Sequence, residues 1–425
     1  MDEPMDVRGE VSGAGAEEMS MAAPTTDNRR RWVVLSLIFL ITVINFVDRQ
    51  TLSVLAPVLR TAFHLSNAEY GRIVSALQFG MMSGEFPMGY LMDRWGARLG
   101  LSVAVLWWST ATGAQVFART GVQFGVTRFW MGTGECGNYS GGMKTVTRLF
   151  GQKERTLAVG IFNSGSMIGA TIAPPLIVYL MQRYGFRTAF LVPALAGFVW
   201  VPVWWMVYGR EPKVAAGEGA ERVSLVTMLR DSSTWAVMLS RFFIGPVMQF
   251  YWYWIPSYLF SVRHMSMVQI GVLGWIPFFL GDTGGIAGGW VAGKLQQRGM
   301  PILQVRRWTM YCSSLVCLTS LMVPYMNHAG AALMMIGVAI MADNFLSANM
   351  FAAVSDLFPD REVGRATGLT GVAGGLSGLL FPLLTGTLVD KVSYTPVFVL
   401  VAIMPLVGTV ALFAAGRKYR LLAGA

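Results

Sequence analysis

Twelve stretches of predominantly apolar residues, each near the ~20 residues a helix needs to cross the hydrocarbon core, constrain this chain more than any other feature. They run over 32–57, 70–91, 99–118, 121–145, 157–181, 187–208, 234–260, 268–292, 307–326, 330–354, 364–388 and 394–415. Hydrocarbon offers no water to backbone N–H and C=O groups, so segments of this length cross as helices that make every backbone bond internally. The 425 residues are 54% hydrophobic and 13% charged, with mean hydropathy +0.51. That excludes a soluble globular domain. The expected fold class is an all-α polytopic membrane protein with twelve transmembrane helices.

The net charge of +10 would suit a nucleic-acid partner, but its distribution is topological. Between the predicted spans, twenty-one Lys and Arg, from Arg29 to Arg420, fall on one side. Six fall on the other: Arg60, Arg119, Arg183, Arg187, Arg263 and Lys391. This positive-inside bias puts both termini in the cytoplasm of a multi-pass plasma-membrane protein and leaves no case for nucleic acid. Residues 1–28 read as a disordered cytoplasmic tail and 417–425 as a second one, and the first apolar run is too long for a cleavable signal. A cytoplasmic linker over 209–232 separates an N-terminal six-helix bundle, 29–208, from a C-terminal one, 233–416; a monomer is expected. His64, His264 and His328 fall in predicted outer loops and read as loop residues. Cys136, Cys312 and Cys317 lie within spans without ligand spacing, so they read as packing residues, with no metal or cofactor.

The fourth span, in TRFWMGTGECGNYSGGMK (127–144), holds Arg128 and Glu135 at membrane depth. Seven residues of helix return Glu135 to within about 20° of Arg128 and separate them by about 10 Å along the axis. A charge at that depth costs ~2.5 to 3.5 kcal/mol even on the gentlest scale, so this face must look into a bundle or a watery cavity. The first span carries Asn45, Asp48, Arg49 and Gln50. Arg49 and Arg128 lie at similar distances from the outer ends of their helices, so they are expected at similar depth. Asn45 and Arg49 share a face at i, i+4, and Asp48 is turned by about 100°. An internal Asp48/Arg49 salt bridge that only fixes packing is the plain alternative.

The loop after the second span reads GYLMDRWGAR (89–98), and its counterpart in the second half, GWVAGK (289–294), has Gly293 in place of the acid. Residues 148–176 and 356–384 align without gaps at an offset of 208, pairing Leu149-Phe150 with Leu357-Phe358, Glu154 with Glu362 and Pro174 with Pro382. The fifth span thus pairs with the eleventh. Two six-helix halves of like orientation form the parallel repeat of a rocking transporter, whose site lies at the midplane between halves. The seventh span contributes Gln249, Tyr251, Trp252, Tyr253, Trp254 and Tyr258, the tenth Asp343, Asn344 and Asn349. An interfacial aromatic belt is the alternative reading for Trp252 and Tyr258. Asp282 and Glu85 are further intramembrane acids without an assigned role.

With DRQ in the first span, G-x-x-x-D-R-x-G after the second and R-x-x-x-G-x-G-E in the fourth, the chain resembles the major facilitator superfamily over nearly its whole length. The fourth span and FNSGSMIGATIAPP are similar to its anion:cation symporters. WYWIPSYLFSVRHMSMVQIG, WIPFFLGDTGGIAGGW and VSDLFP-REVGRATGLTGVAGGLSG most resemble the hexuronate transporters. The resemblance implies proton-linked acids at Asp48 and Glu135, and arginines for substrate and conformational coupling at Arg49 and Arg128. Two positions depart from it. Met81 and Glu85 stand where many relatives have a Tyr and a Gln-x-Pro, and Met131 stands where the sialic acid carrier has an acid.

The expected function is proton-coupled import of an organic anion, a hexuronate or related sugar acid, by alternating access and without covalent chemistry. A guanidinium can grip a carboxylate through two parallel hydrogen bonds. Asn45, Asn163, Gln249 and Asn349 are the expected hydroxyl readers, Tyr253 and Asn344 are further expected substrate-binding residues, and Asp93 and Arg94 are the expected gate. The partners are then a small organic anion, a proton and the bilayer. An exchanger of organic anions or phosphate esters would need the arginines but no proton acid, and Glu135 argues against it. A non-transporting receptor would signal through its tails, which are short. An enzyme would need a nucleophile or metal constellation, and the sequence offers none.

Overall fold

The computed structural model describes residues 28–209 and 225–415. The 1–28 tail up to residue 27, the 417–425 tail and most of the 209–232 linker therefore lie outside the described residues. Five helices form the first half: α1 (Asn28–Ala62), α2 (Asn67–Ala114), α3 (Gly121–Leu149), α4 (Gln152–Tyr184) and α5 (Phe186–Tyr208). A short helix, α6 (Leu225–Arg230), precedes α7 (Ser232–Ser261), α8 (Met267–Leu273), α9 (Ile276–Gln297), α10 (Ile302–Cys317), α11 (Ala329–Leu357), α12 (Asp360–Lys391) and α13 (Thr395–Ala415). No strand occurs among the described residues.

These helices make twelve membrane-length rods. α2 supplies two, because Gly96 inside it takes φ 78°, ψ 171° and folds the chain back. Only glycine holds that backbone without strain. The turn is fastened by Lys144, whose Nζ donates to Met92 O at 2.6 Å and pairs with Asp93 at 3.1 Å. α8 and α9 together make one rod, and α10 continues through 3-10 turns to Tyr325 as another. Seven of the described helical segments are apolar enough to cross a membrane on composition alone. The others are diluted by interior polar groups, such as Arg72 and Glu85 in α2, the charges and glycines of α3, and Arg241 and Gln249 in α7.

The internal repeat is visible in helix ends. α3 and α11 each span 29 residues, and an offset of 208 carries Gly121–Leu149 onto Ala329–Leu357. Phe150 and Phe358 cap them alike, their N–H groups donating to Val146 O and Val354 O at 3.0 and 3.2 Å. The first and second rods repeat in the seventh and eighth at an offset of 200. His64 and His264 both take positive φ, 51° and 53°, and Ser66 and Ser266 both close capping boxes, with Glu69 and Gln269.

Asn28, Gly96, Phe150 and Phe358 lie at one end of the molecule, the base; His64, Gly185, His264 and Val392 lie at the other, the crown. The bundles are locked together toward the crown. Ser53 donates to Trp252 O at 2.6 Å, Tyr70 to Tyr253 O at 2.7 Å and Ser75 to Leu379 O at 2.8 Å. Asp390 of α12 caps α2, accepting from the backbone N–H of Asn67 and Ala68 at 3.0 and 2.7 Å. A methyl group at Gly71 would come within 2.4 Å of Pro382 O, so α2 and α12 touch backbone to backbone there. Toward the base the rods part. Methyl groups at Gly89, Gly160, Gly368 and Gly371 would meet nothing within 4 Å. The structure is closed at the crown and open at the base.

Candidate functional site

Between the bundles lies a cavity of about 440 Å³, walled by α1, α2, α3 and α4 on one side and α7 and α12 on the other. Arg49 of α1 and Glu135 of α3 meet in its wall. Arg49 Nη2 and Nε donate to Glu135 Oε2 at 3.0 and 3.2 Å, and Nη2 lies 3.4 Å from Asn45 Oδ1. The guanidinium carbon sits 4.7 Å from the Phe46 ring centroid. Glu135 Oε1 is buried with no hydrogen-bond partner. Glycines seat α3 tightly against α2 beside this pair. Gly80 of α2 and Gly132 of α3 face each other's backbones, where an added methyl would come within about 2.2 to 2.3 Å of a carbonyl oxygen.

Arg128 and Glu135 share the buried face of α3, and Arg128 Nη1 lies 3.4 Å from the carbonyl of Arg49. The two arginines are therefore at matching depth. Arg128, however, is 0% exposed and sits behind α1 instead of lining the cavity; its Nε and Nη2 have no partner. Asp48 is also 0% exposed, with both carboxylate oxygens unpartnered, and forms no salt bridge with Arg49, whose partner is Glu135. The packing-only Asp48/Arg49 pair is thus absent. Orphaned buried groups at this density mark places where a proton, water or ligand must be accounted for.

The remaining expected residues divide. Asn45, Asn163 and Gln249 line the cavity, and so does Glu85. Tyr253 is 1% exposed with a free hydroxyl, one residue beyond the cavity wall at Trp252. Asn344 and Asn349 do not reach the cavity. Asn344 Nδ2 donates to Gly281 O at 2.9 Å, tying α11 to α9, and Asn349 Oδ1 accepts from Arg306 Nη1 at 3.0 Å. These two side chains look into the second bundle's own packing. Asp93 and Arg94 stand at the base: Asp93 pairs with Lys144 and Arg94 Nη1 donates to Tyr90 Oη at 3.0 Å, all within the first bundle. Trp252 lines the cavity, while Tyr258 is buried and accepts from Arg263 Nε at 2.7 Å, so neither forms a lipid-facing belt.

Sequence reasoning missed Arg241 of α7, a cavity-lining cation inside the apolar run 234–260. It makes no hydrogen bond or ion pair among the described residues and lies 5.0 Å over the Phe351 ring. A count of charges within each span would have found it. Gln78, which lines the cavity, and the Asn138–Thr42 hydrogen bond at 3.1 Å were likewise visible as polar residues inside apolar runs. No cluster of metal-ligating side chains occurs among the described residues.

The family model for the Major Facilitator Superfamily matches residues 38–342 and 302–422. The chain is 28% identical over 402 residues to a hexuronate transporter of Escherichia coli K12, covering 90% of this chain and 93% of that one. It is 26% identical over 409 residues to a D-galactonate transporter of Escherichia coli O6:H1, covering 89% and 94%. Among solved structures it resembles a bacterial homologue of the human lysosomal transporter Spinster, with TM-score 0.73, 17% identity and coverage of 94% and 98%.

Proposed function

The chain belongs to the major facilitator superfamily, and from that premise we propose that it is a proton-driven symporter importing a monovalent sugar acid, a hexuronate such as galacturonate or glucuronate. In this reading it sits in the bacterial plasma membrane with both termini cytoplasmic, and the open base faces the cytoplasm. The observation that carries the proposal is the Arg49–Glu135 pair in the cavity wall, with Glu135 Oε1 unpartnered. A deprotonated Glu135 occupies Arg49 and competes with a substrate carboxylate. A proton on Glu135 releases the planar guanidinium for a bidentate grip on the substrate. Proton and anion are then linked ligands: each strengthens the binding of the other by the same factor. Asn45, Gln78, Asn163 and Gln249 supply amide groups to read hydroxyls. Arg128 supports Arg49 from behind through its carbonyl, and Asp48 shares the proton pathway.

Relatives that carry hexuronate and galactonate support the sugar-acid class. The test is paired uptake into proteoliposomes. Wild type should accumulate radiolabelled D-galacturonate under an imposed inward proton gradient and also show counterflow. Glu135→Gln, a mimic of the protonated acid, should lose gradient-driven accumulation while retaining counterflow. Accumulation by the variant against a substrate gradient would remove Glu135 as the coupling residue and favour anion exchange.

A further inference from the structure

The offset of 208 that carries α3 onto α11 carries Glu135 onto Asp343 (135 + 208 = 343). Asp343 is 1% exposed, and neither of its carboxylate oxygens has a hydrogen-bond partner. The charged group within electrostatic reach is Arg241, the cavity-lining arginine that makes no hydrogen bond or ion pair among the described residues. It packs against Gly374 of α12, where a methyl would come within 2.9 Å of Arg241 Nε. The other titratable groups facing Asp343 are Tyr251 of α7 and Cys317 at the end of α10. α9 presents Gly281, Gly284 and Gly288 to α11, which add no charge.

A structural ion pair looks different in this same bundle. Arg306 Nε meets Asp356 Oδ2 at 2.8 Å, and Arg306 Nη1 also donates to Asn349. Asp343 and Arg241 share no hydrogen bond, so the guanidinium stays free to face the cavity while the carboxyl, buried behind the cavity wall, has no hydrogen-bond partner.

We propose that Asp343 is a second proton-binding carboxyl, working with Arg241 in the second bundle as Glu135 works with Arg49 in the first. The inference rests on the symport reading above and deepens it by setting the proton count. In the empty cavity the Asp343 carboxylate balances Arg241. When a substrate carboxylate binds Arg241, the buried carboxylate loses its counter-charge and takes up a proton from the cavity, becoming a neutral carboxylic acid. By reciprocity, the proton on Asp343 strengthens the anion's hold on Arg241. One proton then travels with each bundle, and a monovalent sugar acid enters with net positive charge.

The test is the steady accumulation of D-galacturonate in proteoliposomes held at zero membrane potential, as a ratio that turnover rate does not alter. Each co-transported proton contributes about tenfold of accumulation per pH unit of gradient, since one pH unit is a factor of ten in proton activity. Wild type should reach about 100-fold per pH unit, Asp343→Asn about 10-fold, and Asp343→Glu should recover the wild-type ratio. A ratio shared by wild type and Asp343→Asn would overturn this inference while leaving symport standing. A wild type that ignores the gradient would sink both. Should Asp343→Asn fail to fold, proton uptake by unbuffered wild-type protein on adding D-galacturonate decides the matter. Two protons per bound sugar acid, in wild type and in Asp48→Asn alike, support the proposal, and one proton in either overturns it.

Discussion

The crown is held shut by a contact whose removal has a calculable effect. Asp390 of α12 accepts three hydrogen bonds from the start of α2: Oδ1 from Asn67 N and Nδ2 at 3.0 and 2.7 Å, and Oδ2 from Ala68 N at 2.7 Å. The carboxylate thus caps a helix of the opposite bundle, so this contact exists only while the crown is closed. Asp390→Asn keeps one acceptor oxygen but presents an NH₂ to a backbone donor and removes the charge from the helix N-terminus. The dipole contribution is about 0.3 to 1 kcal/mol and the lost hydrogen bond about 0.5 to 1.5 kcal/mol. Asp390 is exposed, so solvent screening pulls the sum toward about 1 kcal/mol, roughly a fivefold shift toward the crown-open state. Spin labels at Val122 and Tyr325, 77% and 73% exposed at the crown in different bundles, would report it by pulsed electron–electron distance measurement. The variant should show a larger long-distance population than wild type. An unchanged distribution would mean that the cap does not bias alternating access, and the argument from hydrogen-bond geometry to gating would be refuted.

Arg128→Lys should weaken D-galacturonate binding by about 1 kcal/mol or more, because the shorter-reaching ammonium gives up the Nη1 contact by which Arg128 supports the Arg49 carbonyl; calorimetry giving wild-type affinity would make Arg128 purely structural. Gly71→Val should block crown closure, since even a methyl there would lie 2.4 Å from Pro382 O; the same spin-label pair would read crown-open distances. Hydrogen bonds from the Ser66 backbone and hydroxyl hold the Glu69 carboxyl below its usual range, so its contribution is present above the ordinary glutamate range and lost as pH falls through the depressed value. Thermal unfolding of wild type and Glu69→Gln should therefore converge toward acid pH and separate near neutrality. A periplasm-only reporter fused after Arg420 should give no signal, and activity there would invert the topology.

The sequence made the rods legible because a bilayer forces length and hydrophobicity to coincide, and it made the face shared by Arg128 and Glu135 legible because helical periodicity is fixed. It did not settle which polar side of a membrane helix looks into the cavity and which into the packing of its own bundle. Asn344 follows Asp343 by one residue, a turn of about 100°, and Asn349 by six, which leaves it about 120° round the helix the other way. Both point into packing, and nothing in residue type separates them from cavity groups. Arg128 shows the same gap: its depth followed from counting, but its seat behind α1 depends on where Arg49 sends its backbone. The repeat was only partly read. H-x-S-x-x-[E/Q]-x-G at 64–71 and 264–271 was available as a second register of 200, and the paired positive φ values of His64 and His264 are its structural outcome.

The two registers together show where the halves diverge, and the divergence suits a directional carrier. The offset of 200 places Gln249 at the position of Arg49, while the offset of 208 places Asp343 at that of Glu135 and Ile336 at that of Arg128. The second bundle thus keeps the acid but moves its cation. Arg241 lies eight residues before Gln249 on a helix that starts at the base, about 12 Å closer to the open end along the axis. With Arg49 held by Glu135, the cavity's unpaired cation in this base-open state is the one nearer the exit. On the proposed symport reading, Arg49 and Arg241 give a substrate anion two footholds at different depths in one cavity.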